Sequence, residues 1–147
     1  MTRIYLDTSV ISALFDSRTP ERQSQTRQAW SSLADYEVCI SDVVRYELSE
    51  VNTELKDIFL DIIKDFTVLE VTDKANELAN EYVEKGIFPD KYIDDAVHVA
   101  VASLNNIGIL LSWNFTHLVK VKTRRMVALV NSEKNYLSIE IISPPEL

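Results

Sequence analysis

Four acid or amide side chains stand where packing alone would not put them: Asp7, Glu47, Asp95 and Asn114. Asp7 closes the apolar run Ile4-Tyr5-Leu6, and Glu47 borders an apolar helical stripe. Asp95 leads into Ala96-Val97-His98-Val99-Ala100-Val101-Ala102, and Asn114 follows Ile109-Leu110-Leu111-Ser112-Trp113. A carboxylate beside a buried face costs free energy unless it is paired or holds a cation. Several that converge would make an oxygen-donor site for a hard divalent ion such as Mg²⁺. Metal-assisted chemistry is therefore the leading reading of these residue types.

Each position also has a competing local role. Asp7, with Thr8 and Ser9, could cap a helix over Ser9-Val10-Ile11-Ser12-Ala13-Leu14. Val44, Leu48 and Val51 form an i, i+4, i+7 stripe. Glu47 lies beside that stripe and could snorkel from its border or pair with an arginine, whereas Glu50 points to solvent. Asp42 reads as a helix-start acid that satisfies exposed backbone N–H groups. Asp94 and Asp95 open a helix that is apolar nearly all round, which implies deep burial. Asp90, after Pro89, makes the better N-cap, and this would leave Asp95 beyond the first turn. Asp94 either supports the site or pairs with Lys91. His98, one turn from both acids, reads alone as a hydrogen-bonded core histidine. Asn114 could be an N-cap or turn residue. Within a site its amide would hold a water or a phosphate oxygen without adding charge, and Ser112, on the same side of the strand, could assist. Trp113 and His117 read as packing and local hydrogen bonding, with His117 also a candidate substrate contact.

The elements that must position these residues alternate. Expected strands are Arg3–Asp7, Glu37–Ser41, Thr67–Val71, Ile109–Ser112 and Ser138–Ile142, several of them apolar on successive residues, as strands covered on both faces should be. Helical patterns lie between them at Ser9–Phe15, Pro20–Ala34, Ser41–Val51, Thr53–Asp65, Thr72–Lys85, Tyr92–Asn105 and Thr123–Asn131. Strand–helix alternation predicts an α/β fold with a mostly parallel sheet between helices. In such folds ligands gather beyond the carboxyl ends of the strands, where Asp7 and Asn114 are both expected. Gly86 and Gly108 are the only two glycines. Gly86 is expected to end a helix at a loop, and Gly108 to part a helix from the next strand.

Composition bounds the rest. The 147 residues, 46% hydrophobic, suit one domain with its own core. No apolar stretch approaches the roughly 20 residues of a membrane span, and the N-terminus lacks the h-region of a signal peptide. The lone cysteine, Cys39, excludes an intramolecular disulfide and a cysteine-cluster zinc site, and is expected to be a core thiol in a reducing cytoplasm. A net charge of −8 argues against a general nucleic-acid coating protein. Bound Mg²⁺ would offset part of that charge. Lys120, Lys122, Arg124 and Arg125 cluster just after Asn114, and Arg18, Arg22 and Arg27 share a polar early segment. Of these, Arg18, Arg22, Lys120, Lys122, Arg124 and Arg125 are the candidate phosphate contacts.

Four segments then fall into one pattern: Tyr5-Leu6-Asp7-Thr8-Ser9-Val10-Ile11, Ser41-Asp42-Val43-Val44-Arg45-Tyr46-Glu47-Leu48, Asp94-Asp95-Ala96-Val97-His98-Val99-Ala100 and Leu111-Ser112-Trp113-Asn114-Phe115. Each alone is weak. In this order and at these distances they resemble a PIN domain, specifically its VapC-like group of small bacterial or archaeal proteins. The resemblance runs over essentially the whole chain, to Ile141-Ile142-Ser143-Pro144-Pro145-Glu146. It implies a single domain over residues 1–147, built as a three-layer α/β/α sandwich with a mostly parallel five-stranded sheet. It also implies a metal-dependent ribonuclease in which Asp7, Glu47 and Asp95 bind Mg²⁺ or Mn²⁺. Thr8 or Ser9 would orient Asp7 or contact phosphate, with Asp94 and Ser112 in supporting or substrate-contacting roles. Asn114 stands where many members carry a further acid, which leaves three carboxylates rather than four and bears on whether a second ion binds before substrate. One or two ions would polarise the scissile phosphate and lower the pKa of a bound water, leaving 5′-phosphate and 3′-hydroxyl ends.

The same resemblance implies the toxin of a type II toxin–antitoxin pair, with a small antitoxin protein as partner and a homodimeric state. The alternative is a PIN fold kept as a binding module with weak or absent nuclease activity, which Asn114 and the overall acidity motivate. Two other acid-gathering α/β families are disfavoured by specific residues. A response-regulator receiver needs an Asp ending its third strand, where Thr67-Val68-Leu69-Glu70-Val71 offers only the later Asp73. A haloacid-dehalogenase-type phosphatase needs an Asp two residues after Asp7, where Ser9 stands.

Overall fold

The computed structural model describes residues 1–51 and 53–147. Five strands, β1 (Thr2–Leu6), β2 (Tyr36–Ser41), β3 (Thr67–Leu69), β4 (Ile109–Leu111) and β5 (Glu140–Ile142), lie in the order β3-β2-β1-β4-β5. Every pairing between them is parallel. The helices are α1 (Thr8–Ala13), α2 (Pro20–Ser32), α3 (Asp42–Ser49), α4 (Thr53–Ile63), α5 (Asp73–Glu84), α6 (Ile93–Leu104) and α7 (Val121–Glu133). Short 3₁₀ turns precede β2 and α6 and close the chain.

Ile4, Tyr5 and Leu6 are all fully buried, as a central strand sandwiched by helices requires. Right-handed crossovers put α1–α4, which carry the chain from β1 out to β3, on one face, and α5–α7, which carry it back, on the other. The expected three-layer α/β/α architecture is therefore present, with an all-parallel sheet. Tyr82 of α5 donates to Asn131 Oδ1 of α7, and the Asn131 amide donates to Ser103 Oγ of α6 at 2.8 Å. This buried trio locks the α5–α7 layer together.

The topology decides where a site can form. From β1 the chain runs outward through β2 to β3 and then returns to β4 on the other side of β1, so the strand order reverses between β1 and β4. Loops leaving those two strands diverge to opposite faces and open a crevice at their carboxyl ends. Leu6 pairs with Leu111, and the Asp7 N–H donates to the Leu111 carbonyl at 3.2 Å. Asp7 and Ser112, each the next residue after its strand, are thus neighbours.

Some expectations are corrected. Asp90 does not cap α6. It lies in the 3₁₀ turn Asp90–Tyr92, α6 begins at Ile93, and Asp94 and Asp95 occupy its first turn. The proline at 89 fixes an extended residue before that turn, which tightens the helix entry by one step. Gly86, at φ +78, stops α5 as expected. Gly108 parts α6 from β4 as expected, and the left-handed residue after the helix is Asn106, at φ +55, because asparagine tolerates that region. Strand ends are shorter than the apolar runs suggested, since β1 stops at Leu6 and β3 at Leu69.

The buried trio supplies a stability test. Tyr82→Phe leaves the Asn131 carbonyl without its hydroxyl donor, which should lower unfolding free energy by about 1–3 kcal/mol. Urea denaturation measures this, and an unchanged midpoint would show that the trio contributes nothing.

Candidate active site

Asp7 serves two roles at once. With extended backbone (φ −81, ψ 172) it is the N-cap of α1, and its carboxylate accepts from the Val10 N–H at 3.4 Å. The same carboxylate receives the hydroxyls of Ser9 and Ser112. Those serines are themselves fixed: Ser9 Oγ accepts from the Trp113 N–H and Ser112 Oγ from the Asn114 N–H, both at 2.9 Å. Only 4% of Asp7 is exposed. Burial pushes its carboxyl above the usual range, against the opposing pull of His98 and of the hydroxyl and amide donors.

Glu47, on α3, is reached from two sides. Thr8 Oγ1 donates to its Oε1 at 2.8 Å, and His98 Nε2 lies 3.2 Å from the same atom. Partial burial favours the neutral acid, but the His98 contact and the Thr8 hydroxyl outweigh it and hold the carboxyl below its usual range. Thr8 therefore steadies Glu47, while Ser9 steadies Asp7. Behind Glu47 runs a buried chain. His98 Nδ1 is 2.7 Å from Tyr5 Oη, which is 2.7 Å from Ser41 Oγ. Burial opposes a charged imidazole at His98, yet the Glu47 contact and the charges of Asp7, Glu47 and Asp95 shift its pKa upward overall. His98 is indeed a hydrogen-bonded core residue, and it also faces the acids. The signal in the sequence was a lone ionisable side chain, one turn after Asp95, in an otherwise apolar run.

Asp95, in the first turn of α6, is partly buried. Burial raises its carboxyl first, and the charges of Asp7 and Glu47 raise it further, against His98 and His117. The Asn114 side-chain N–H donates to Asp95 Oδ2 at 3.2 Å, and His117 Nδ1 lies 3.5 Å from the same oxygen. Asn114 Oδ1 accepts from the His117 N–H at 2.9 Å. Asn114 is thus both a turn residue and a neighbour of the acids, and His117 is fixed against Tyr92, with ring centroids 4.2 Å apart.

The remaining candidates divide. Asp94 is exposed and has no hydrogen-bond or ion-pair partner among the described residues; Lys91 instead sits 5.1 Å from the Tyr92 ring centroid. Arg18 is paired with Asp16 at 2.9 Å. Arg124 donates to the Ile141 carbonyl at 3.3 Å, and Arg27 to the Leu14 carbonyl at 3.0 Å. Lys120 precedes α7, Lys122 approaches the Gly86 carbonyl at 3.5 Å, and Arg125 is exposed. Arg22 lies against Trp113 and Phe115.

Asp7, Glu47, Asp95 and Asn114, from four separate segments, meet at the carboxyl edge of the sheet. Among the described residues no three acid, histidine or cysteine side chains stand close enough together to hold a metal ion as they are placed. Each acid instead rests on protein donors. The chemistry of the set still fits a hard cation: three carboxylates, hydroxyls and an amide, with no thiolate. The fit rests on mutual repulsion, since Asp7 and Glu47 both raise Asp95 and a cation among them would relieve it.

A family model described as the PIN domain matches residues 4–114. No curated protein matches the chain. Among solved structures the chain is similar to FitAcB from Neisseria gonorrhoeae, with a TM-score of 0.64 and 16% identity over 98% of this chain and 99% of that one. VapBC2 from Rickettsia felis, bound to a DNA fragment from its promoter, gives 0.61 and 16% over 97% and 98%. VapC20 of Mycobacterium tuberculosis, described as a sarcin–ricin loop cleaving toxin, gives 0.60 and 19% over 93% and 98%. At these identities the likeness is one of fold.

The raised carboxyl of Asp7 fixes the sign of a stability effect. A folded-state pKa above the unfolded value, near 3.9 for aspartate, means that the folded state binds the extra proton. The resulting penalty is absent below the unfolded pKa, grows as pH rises through the raised folded pKa, and stays constant above it. Without divalent ions, Asp7→Asn should therefore melt at a higher temperature than the parent near pH 7, and the gap should close toward pH 3. Calorimetry across that range decides it; a gap that is constant with pH would refute the burial argument.

Proposed function

The chain belongs to the PIN domain family, and on that premise we propose that it is a Mg²⁺- or Mn²⁺-dependent endoribonuclease acting as the toxin of a toxin–antitoxin pair. The observation that carries this reading is the hydrogen-bond network that draws Asp7, Glu47 and Asp95 from three distant segments: Ser112 joins Asp7 to the Asn114 N–H, the Asn114 amide reaches Asp95, and Thr8 and His98 hold Glu47. A divalent ion held by these three carboxylates would polarise a phosphodiester and acidify the attacking water.

The protein's own groups then have definite tasks. Ser9, Ser112 and the Val10 N–H fix the Asp7 carboxylate, and Thr8 with His98 fixes Glu47. Asn114 steadies Asp95 and leaves the rim with one negative charge fewer than a fourth acid would give. Lys120, Lys122 and Arg125, at or near the start of α7, are candidates to meet the phosphates of an RNA strand. The VapC20 neighbour is described as cleaving an RNA loop, which supports RNA as the substrate class. Other neighbours are described as toxin–antitoxin or promoter complexes, which supports an antitoxin partner; a homodimeric toxin is part of the same proposal. No helix among the described residues is long and apolar enough to cross a membrane, and Cys39 is a free, buried thiol. Both agree with action in the cytoplasm.

A second reading, a binding module with little nuclease activity, is favoured by one contact. The Asn114 amide already donates to an oxygen of Asp95, in the place where a carboxylate would add cation affinity.

Two measurements separate these readings. Asp7→Asn, Glu47→Gln and Asp95→Asn should each cut Mn²⁺-dependent RNA cleavage at least about a hundredfold, more than loss of a supporting partner does. EDTA should abolish cleavage in the parent. Undiminished cleavage by all three variants, in preparations free of contaminating nuclease, would refute these carboxylates as the catalytic site, and no cleavage by the parent would refute the enzyme. Asn114→Asp should tighten Mn²⁺ binding roughly tenfold by calorimetric titration. An unchanged affinity would show that this position does not govern the metal.

A further inference from the structure

Most arginines of this chain are tied to oxygen acceptors. Arg3 is held by Glu37, Arg18 by Asp16, Arg45 by Asp42, and Arg27 and Arg124 by carbonyls. Arg22 is held differently. Its guanidinium carbon lies 5.3 Å from the Trp113 ring centroid and 5.4 Å from that of Phe115. The two rings meet edge to face, 6.1 Å apart at 70°, so the cation sits in the corner between them. Cation–π contact fixes a guanidinium without using its N–H groups. Among the described residues no acid or carbonyl accepts from the Arg22 side chain, and its donors remain available.

The corner is rigid on one side and open on the other. Trp113 is 6% exposed, and its indole N–H donates to Thr26 Oγ1 of α2 at 2.8 Å. Its backbone N–H bonds Ser9, the residue that holds Asp7. Phe115 is 46% exposed. Between the two rings in sequence stands Asn114, whose amide reaches Asp95. The platform is therefore built into the loop that delivers the site, one residue from a side chain that touches the acids.

We propose that Arg22 and Phe115 form a subsite for one unpaired nucleotide flanking the cleaved bond, the base stacking on Phe115 and the guanidinium gripping its phosphate. This deepens, and rests on, the ribonuclease reading. A guanidinium offers a planar fork that matches phosphate oxygens in pairs, and exposed aromatic rings stack any base. A base inside a helix is already stacked and cannot lie on Phe115, so the subsite selects single-stranded or looped RNA. A pinned cation also answers a local difficulty. A phosphate approaching three carboxylates on a chain of net charge −8 is repelled, and a positive group held at the rim offsets that repulsion.

Binding and cleavage are measured separately. In the Asp7→Asn protein, fluorescence anisotropy with a labelled single-stranded RNA should show about tenfold weaker binding for Arg22→Ala and for Phe115→Ala. Phe115→Trp should restore affinity, whereas Arg22→Lys should not, because an ammonium lacks the planar fork. Lys64→Ala, an exposed charge on the loop after α4, should bind as the parent does. Scanning one abasic nucleotide along the RNA should find a single position at which Phe115→Ala no longer matters. Unchanged RNA affinity in both alanine variants would overturn the subsite, as would a Phe115→Ala loss that is the same for every abasic position. Loss of binding to a partner protein with RNA affinity intact would also overturn it, assigning the cation to a carboxylate instead. Absence of RNA cleavage by the parent with Mn²⁺ would refute the nuclease reading, and that outcome is read from product, independently of affinity.

Discussion

A fully buried imidazole facing three carboxylates is the central constraint in this molecule. His98 is joined to Tyr5 on the central strand and to Glu47 on α3, and it senses the charges of Asp7 and Asp95. A lone carboxylate cluster at the edge of an apolar core would be driven to protonate or to turn outward. An imidazole behind it whose pKa the acids shift upward favours their ionised state, and its two ring nitrogens fix two elements at once. Replacing it by an apolar group would leave Tyr5 Oη with only Ser41 and Glu47 with only Thr8. The position of α3 relative to β1 is therefore set by polar contacts together with the burial of Val44 and Leu48.

In front of His98 the acids rest on hydroxyls and an amide. Ser9, Ser112, Thr8 and Asn114 come from the segments that bear or adjoin the acids, so each loop orients its neighbour's carboxylate. Such donors compensate burial without adding positive charge. They hold each oxygen in place yet leave the cluster with an electrostatic deficit that an external cation can fill. A set of lysines there would have satisfied the acids permanently and removed any reason to bind metal. Among the described residues no three acid, histidine or cysteine side chains are placed to hold a metal ion, so a bound cation would have to draw the acids away from some of these donors.

Much of this was legible in the sequence for physical reasons. Strands buried on both faces must be apolar on successive residues, so β1 and β4 stand out in the sequence, and an acid that ends such a strand stands out with them. The α/β class and the carboxyl-edge position of Asp7 and Asn114 follow from that. Helix entry was less legible. Asp90 after Pro89 resembles a cap, but the 3₁₀ turn at 90–92 delays α6 and moves Asp95 into its first turn. Asn106, and not a glycine, takes the left-handed residue after α6, since asparagine can do so and no local pattern announces it. Side-chain partners across the fold were out of reach altogether. Nothing in the segment around Arg22 indicates that α2 brings it over rings about ninety residues away, and nothing around Thr8 assigns it to Glu47 rather than to Asp7.

The acidity of the chain and the proposed nucleic-acid substrate are reconciled by where the charges lie. General coating of nucleic acid needs a broad basic face, because affinity there comes from many phosphate contacts that release counterions. An enzyme that engages a short unpaired stretch needs only a few cations beside the scissile bond, and base stacking supplies affinity that does not depend on charge. Several arginines of this chain are consumed by acids or carbonyls, while the groups left free lie in α2 and in the first turns of α7. An acidic surface elsewhere then disfavours binding to long duplexes. Specificity in such a protein would come from exclusion as much as from attraction, with a divalent ion and Arg22 offsetting the three carboxylates at the carboxyl edge of the sheet.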